Sequence, residues 1–407
     1  MFAALRVRNY RLFATGQLVT NFGTWVQRIA QDWLVLELTG YDPVALGIAG
    51  TLQFLPTVMF SLWAGVLADR LDKRKILLVV QSGVALCALV MCALDVSGTV
   101  TLWQVYVLCV ALGAFAAFDQ PVRSAYVAEM VGKEHLANAV ALNSSSYNLA
   151  RIVGPAVAGL LILWLGTGWV FLVSGLSTAA VLVSLLRIDP IPAGTARGPV
   201  RLGEGLRYVR THREVLTLMV LVFFVSLFAI NFYTALPIIA ANVFHRQADG
   251  YGTLFTLLAV GTLAGSLLAA RRSTRQKSGP RFLVMTSVGF GLVEAVAGIM
   301  PNYLTCGLVL IAVGFGMMTF MPTASTIVQL AVEPGMRGRV MGLYTLIFLG
   351  SNPIGAPLTG WVAATLGDRA PLVLGGLLAA VTAAVCGFFL LRIPAAAPEP
   401  ATATVSP

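Results

Sequence analysis

Lys73-Arg-Lys75 is followed by Ile76-Leu-Leu-Val-Val-Gln-Ser-Gly-Val-Ala-Leu-Cys-Ala-Leu-Val-Met-Cys-Ala-Leu94, nineteen residues without a charge. A helix needs about 20 mostly apolar residues, at about 1.5 Å each, to cross a bilayer. The stretch therefore reads as a membrane span, and its basic flank as the end held at the headgroups. Working outward, the same pattern gives twelve spans, at about 12–36, 44–68, 76–94, 102–118, 137–165, 169–186, 215–243, 252–270, 282–300, 304–332, 340–366 and 371–391.

Composition agrees. Of 407 residues, 58% are hydrophobic and 11% charged, with a mean hydropathy of +0.85. Soluble domains carry about 25% charged residues, so this chain cannot coat water-soluble domains. That excludes a soluble enzyme, a disordered scaffold and a secreted disulfide protein. The five cysteines lie inside apolar runs and form no CxxC pair, and there is no GxxxxGK[ST] phosphate loop. The three histidines, His135, His212 and His245, fall in loops or at helix ends. No cofactor or metal is expected, and no enzymatic activity. Arg6, Arg8 and Arg11 precede a first span with no small-residue cleavage pattern, so no cleavable signal peptide is read.

The expected organisation is an N-terminal six-helix bundle (1–186), a cytoplasmic linker (187–213), a C-terminal six-helix bundle (214–392) and a disordered Ala/Pro/Thr-rich tail (393–407). The linker contains a basic, amphipathic piece from Arg201 to Arg210. With both termini cytoplasmic, 23 of the 27 basic residues fall on the inner side, as the positive-inside rule requires. The net charge of +10 is then a topology signal, not a nucleic-acid surface. The halves also repeat. A shift of 201 residues superposes Gly113 on Gly314, Pro121 on Pro322, Gly154 on Gly355, Gly159 on Gly360 and the loop 65–75 on 266–276. Paired six-helix repeats with a solute site between them are a plan of secondary transporters.

The loop Gly65-Val-Leu-Ala-Asp69-Arg70-Leu-Asp72-Lys73-Arg74-Lys75 resembles the signature between helices 2 and 3 of the major facilitator superfamily. Ala150-Arg-Ile-Val-Gly154-Pro155-Ala-Val-Ala-Gly159 resembles its helix-5 antiporter motif. Asn9-Tyr-Arg-Leu-Phe13, Trp25-Val-Gln27, Asp32 to Thr39 and Asp119-Gln-Pro-Val-Arg123 are similar to the bacterial branch containing the enterobactin exporter and drug-efflux proteins. The resemblance implies an all-α major facilitator fold in a bacterial inner membrane, acting as a monomer on a small solute and protons. It also implies a cytoplasmic gate of Gly65, Asp69, Arg70, Asp72, Lys73 and Arg74. There Asp69 lies near the N-terminus of the eleventh helix, where the dipole favours an anion, and a basic loop residue pairs with Asp119, one turn from Arg123.

A charge at mid-bilayer costs at least about 2.5–3.5 kcal/mol, so the intramembrane ions are the candidate coupling residues. Arg28 and Asp32, four apart, share a helix face. They form either a pair that permits insertion or a protonatable, solute-binding group. Arg151 lies too deep to snorkel easily and reads as an anion ligand or a carboxylate's partner. Glu294 is the one acid deep in the second half, either a proton carrier or a residue of a helix contact. Gly154, Pro155 and Gly159 permit close helix packing and a kink. Trp25, Trp33, Tyr147, Phe232 and Tyr233 are candidates for an apolar pocket.

The expected function is export of small amphipathic molecules, drugs or siderophore-like metabolites, by alternating access with proton antiport. The fourth span lacks the arginine carried by many proton antiporters of the superfamily, which keeps an importer or facilitator open. A non-transporting sensor or scaffold is the third reading, disfavoured by the intramembrane charges.

Overall fold

The computed structural model describes residues 3–189, 202–273 and 279–392, with side chains described except at 62, 65–66, 68–70, 202 and 270–273. The tail, part of the linker and the side chains of Gly65, Asp69 and Arg70 lie outside the described residues.

All described elements are helical. α1 (Arg8–Leu38), α2 (Pro43–Arg70) and α3 (Lys73–Val96) cross in turn. α4 (Leu102–Leu165) has 64 residues, about three times the length that fills a bilayer. It crosses twice, turning back at Gly132, whose φ of 66° only glycine adopts without strain. α5 (Thr167–Arg187) completes the first bundle. α6 (Leu202–Thr211) lies in the linker. α7 (Arg213–Ala229), α8 (Phe232–Ile238) and a π-helical turn (Ile239–Val243) form one broken crossing. α9 (Ala248–Ser273), α10 (Pro280–Ile299), α11 (Tyr303–Ala331), α12 (Arg337–Leu366) and α13 (Ala370–Leu390) complete the second bundle.

Nine stretches among the described residues are long and apolar enough to span. The second crossing of α4, with α1 and α12, makes twelve. α1 falls short of the others in apolarity because it buries a polar row, including Gln17, Asn21, Gln27, Gln31 and Asp32.

Two expected boundaries change. The fourth span was expected to end at Phe118, but helix continues to the Gly132 turn, because Asp119, Arg123 and Glu129 all find polar partners inside the protein. The seventh span, expected to be continuous, breaks at Ile230–Asn231, where Asn231 has φ −96° and ψ 37°. Its side chain donates to the Leu227 carbonyl at 2.7 Å, satisfying one acceptor that the break frees.

The bundles meet along two seams, α2 against α12 and α4 against α9. Both are backbone-close. Thr51 Oγ1 donates to the Pro353 carbonyl at 3.1 Å, and Thr256 Oγ1 to the Ile152 carbonyl at 3.0 Å. These bonds are related by the internal repeat. Ile152 and Pro353 are 201 positions apart, but Thr51 and Thr256 are 205 apart. The same 205 relates α1 to the broken crossing Arg213–Val243, each 31 residues long. The difference is taken up where α10, with 20 residues, is four shorter than α3, with 24. The match of loop 65–75 to 266–276 is therefore one helical turn out of register with the helices that carry it.

The linker helix α6 packs on the second bundle. Gly205 lies against the Arg339 backbone, Glu204 pairs with Arg339 at 3.1 Å, and Val209 is buried.

Candidate functional site

The first and last described residues, Ala3 and Arg392, lie at one end of the bundle, since the number of crossings between them is even. At the opposite, far end the seams close on backbone. A Cβ at Gly47 would lie 2.7 Å from the Ala356 carbonyl oxygen, and one at Gly159 2.7 Å from that of Ala248. Asn242 Nδ2 adds bonds across the halves to the Tyr41 carbonyl (3.3 Å) and, within its own half, to Asp368 (3.1 Å). Gly154 accommodates Trp25, whose Cβ lies 2.7 Å from where a Cβ would stand. Pro155 and Gly159 form the wall that faces Gly252 and Ala248 of α9. Pro155 and Gly159 thus lie in the closed seam between the bundles, while Gly154 packs within the first.

Below this seal a cavity of about 310 Å³ lies between the bundles, joined to a vestibule of about 470 Å³. The vestibule is lined by the stretches of α4 on either side of the Gly132 turn, at the end that carries the termini. One wall of the deeper cavity is rich in carboxamides. Gln31 donates to Gln53 at 3.1 Å, and Gln81 donates to Asp119 at 2.8 Å. The other wall is aromatic. Trp25 stands 5.7 Å from Tyr147, 6.1 Å from Tyr233 and 5.6 Å from Phe255, between ring centroids. Of the expected aromatic residues, Trp25, Tyr147 and Tyr233 line this cavity. Trp33 instead donates to Glu37 at 2.7 Å, and Phe232 packs on Phe290.

Arg28 lies in the cavity wall with its guanidinium 4.5 Å from the Tyr233 ring centroid and 5.0 Å from that of Phe54. Such cation–π contacts are attractive once desolvated. At the offset of 205, Arg28 and Tyr233 are equivalent positions, so they face each other across the pseudo-two-fold axis. Arg28 Nε is 3.6 Å from Asp32 Oδ2. Asp32 is buried behind it and accepts from the Tyr251 hydroxyl at 3.0 Å. Arg151 reaches the second bundle, donating to Thr262 Oγ1 at 2.5 Å.

Glu294 is not among these groups. It is buried in the second bundle, where α10 meets α13 near Gly375, and its Oε2 has no hydrogen-bond partner among the described residues. Asp119 and Arg123 pair with each other, and both line the deeper cavity. The basic loop residue that pairs with an acid of α4 is Lys73, and its partner is Glu129 at 2.8 Å. Among the described residues Asp119, ten residues and about 15 Å of helix farther along, pairs with Arg123. Asp72 caps α3, accepting from the Arg74 backbone N–H at 2.9 Å, and Arg74 reaches the Leu186 carbonyl at 2.9 Å. Sequence reading missed Glu129 and Tyr251. Glu129 was legible as an acid opposite a basic loop; Tyr251 carries no local signal.

The chain matches the family model described as transmembrane secretion effector, of the major facilitator superfamily, over residues 1–404. It belongs to that family. It is similar to the multidrug efflux pump Tap of Mycobacterium tuberculosis, 28% identical over 94% of this chain and 92% of that one. It is also similar to the enterobactin exporter of Citrobacter koseri, 25% identical over 84% of this chain and 82% of that one. Its fold is that of a bacterial homolog of the lysosomal transporter Spinster, with a TM-score of 0.74, 13% identity, and coverage of 95% of this chain and 98% of that one. The chain is a multi-pass membrane transporter of a bacterial membrane, and not an enzyme.

Proposed function

We propose that the chain exports small amphipathic molecules, of the drug or siderophore-like class, by alternating access in exchange for protons. The observation that carries this reading is the position of Arg28 between the cavity and Asp32. A solute that reaches Arg28 and a proton that reaches Asp32 act on one ion pair. The carboxamide and aromatic walls fit a solute with a polar and an apolar face, and the names of the relatives support that class.

With the far end closed, Asp32 is ionised, held by Arg28 of its own helix and by Tyr251 of the other bundle. Solute enters from the end that carries the termini, packs against Trp25, Tyr147 and Tyr233, and engages Arg28. Separating the bundles at the far end withdraws Tyr251 and admits water to Asp32, which takes a proton as solute leaves. Closure expels the water, the proton departs to the other side, and Arg28 and Tyr251 recapture the carboxylate. Arg151 holds α4 to α9 through Thr262 and opens with that seam. Asp69 of the loop supports the closed inner gate by lying near the N-terminus of α12.

Both termini are cytoplasmic, in the inner membrane, and the chain works as a monomer. The basic residues concentrated at the terminal end support this orientation. A reporter fused after Arg392 is expected inside, and one in the 95–101 loop outside.

The test is transport of dye-like and siderophore-like solutes in proteoliposomes under an imposed pH gradient. Uphill movement that collapses with the gradient is expected. Equal rates with and without the gradient would leave a facilitator.

A further inference from the structure

The vestibule and the Asp119–Arg123 pair have no part in the scheme above. All vestibule-lining residues come from the first bundle, between positions 17 and 148, and most present carboxamides or hydroxyls, among them Asn143, Ser144 and Asn148. Among the described residues, Arg123 is the one charged residue lining it. Amides and hydroxyls offer hydrogen bonds but no compensating negative charge, so this wall favours an anion.

Arg123 lines both cavities, whereas Asp119 lines only the deeper one. Asp119 also accepts from Gln81, so it keeps a donor when Arg123 turns away. On the vestibule side, the partner of Arg123 among the described residues is the neutral Gln120 oxygen, at 3.3 Å. Tyr147 lines both spaces as well and stands against Trp25. A molecule with an aromatic body on Tyr147 and a carboxylate toward Arg123 would span them. Arg28 is a poorer receiver, because it is covered by two rings and committed to Asp32.

We infer that the vestibule is a loading subsite for the anionic end of the solute, with Arg123 exchanging Asp119 for a solute carboxylate. This deepens the export reading by naming the solute class, but it is a binding property and is measured without transport.

The probes are naphthalene-1-acetate and naphthalene-1-acetamide, which share one aromatic body, titrated into the purified full-length protein. The wild type is expected to prefer the carboxylate by about tenfold, the scale of one hydrogen bond to a charged group. Arg123→Gln should bring the two affinities together, and Arg123→Lys should keep the preference. Asp119→Asn should enlarge it, because Arg123 is no longer held. Binding of neither probe, equal wild-type affinities, or loss of the preference in Arg28→Gln but not Arg123→Gln would overturn the assignment. So would abolition of the preference by added phosphatidylglycerol but not phosphatidylcholine, which would make the anion a lipid's. Failure of pH-driven transport with the preference intact would count against proton coupling alone.

Discussion

The hydroxyl of Tyr251, on α9 of the second bundle, donates to Asp32 Oδ2, on α1 of the first, at 3.0 Å. Arg28 Nε approaches the same oxygen at 3.6 Å. One carboxylate oxygen is thus shared by a partner that moves with it and a partner that does not. Any motion separating the bundles leaves Asp32 with Arg28 and takes Tyr251 away. The surroundings of Asp32 therefore depend on the conformation, as a coupling group requires.

Asp32→Asn keeps the shape but cannot titrate. Uphill accumulation driven by a pH gradient is expected to vanish, while downhill solute exchange persists. Tyr251→Phe keeps the carboxylate and removes the cross-bundle donor, a hydrogen bond to a charged group worth about 1.5–3 kcal/mol. That loss falls only on the state closed at the far end, so the variant should remain coupled but favour the open far end. Counterflow in proteoliposomes and spin-label distances across α2–α12 would check the two parts. Full coupling in Asp32→Asn would remove the carboxylate from the mechanism.

The seam allows a steric test. A side chain at Gly159 would run into the Ala248 carbonyl at 2.7 Å and Asp249 Cα at 2.8 Å. Backbone there cannot give way as a flexible side chain would. Gly159→Val is expected to cost about 1–3 kcal/mol in the far-end-closed state and little in the open one. Reactivity of a cysteine introduced in the far-end cleft, in a cysteine-free background, should rise about tenfold or more. Gly289→Ala, where a Cβ meets open space, should leave it unchanged. Equal labelling of both variants would mean that the seam does not separate in the transport cycle.

Much of this arrangement was legible in the chain. Lys73-Arg-Lys75 before an uncharged nineteen-residue run fixes a span by local physics alone. Of the glycines repeated at 201 positions, Gly159 and Gly360 mark the seams, against Ala248 and Pro43, while Gly113 and Gly314 mark close packing within each bundle, against Gln53 and Leu258. Gly166 and Gly367, also 201 apart, share a positive φ at the far-end turns, 81° and 101°. Partners across the bundles were not legible. Tyr251 and Asp32 are 219 residues apart, and nothing near either residue names the other. The one-turn slip of the loop match has a similar origin: the shortening of α10 lies inside an apolar helix, where deletion leaves no mark in composition. The end of the fourth span was misplaced because Asp119 was read as leaving the membrane. It stays in helix, where Gln81 and Arg123 meet it.

Lys73 and Glu129 tie the start of α3 to α4 near its turn, at 2.8 Å, with side-chain exposures of 9% and 20%. Breaking a buried pair by removing one partner costs about 3–5 kcal/mol, and the partial exposure of Glu129 puts this pair at or below the low end. Lys73→Met should lower the thermal midpoint in detergent, because it removes this ion pair. Lys73→Met with Glu129→Gln should recover much of the loss. No recovery in the double variant would show that Lys73 acts through its aliphatic contacts and not through its charge.

Glu294 offers the sharpest contrast with Asp32, since both are acids buried in the membrane. Asp32 has a donor from each bundle, whereas Glu294 lies within one bundle, and its Oε2 has no partner among the described residues. Alternating access moves bundles against each other, so the α10–α13 packing around Glu294 need not change during the cycle. A group whose surroundings stay fixed cannot take a proton on one side and release it on the other. Glu294→Gln is therefore expected to leave pH-driven accumulation intact. Glu294→Met, of similar volume, removes a buried polar group lacking a full set of hydrogen bonds and should stabilise the protein by about 1–3 kcal/mol. Thermal unfolding and proteoliposome accumulation, measured on the same preparations, separate the roles. If Glu294→Gln abolished accumulation while Asp32→Asn did not, the coupling carboxylate would lie in the second bundle, and the Arg28–Asp32 pair would be only a device for burying a charge.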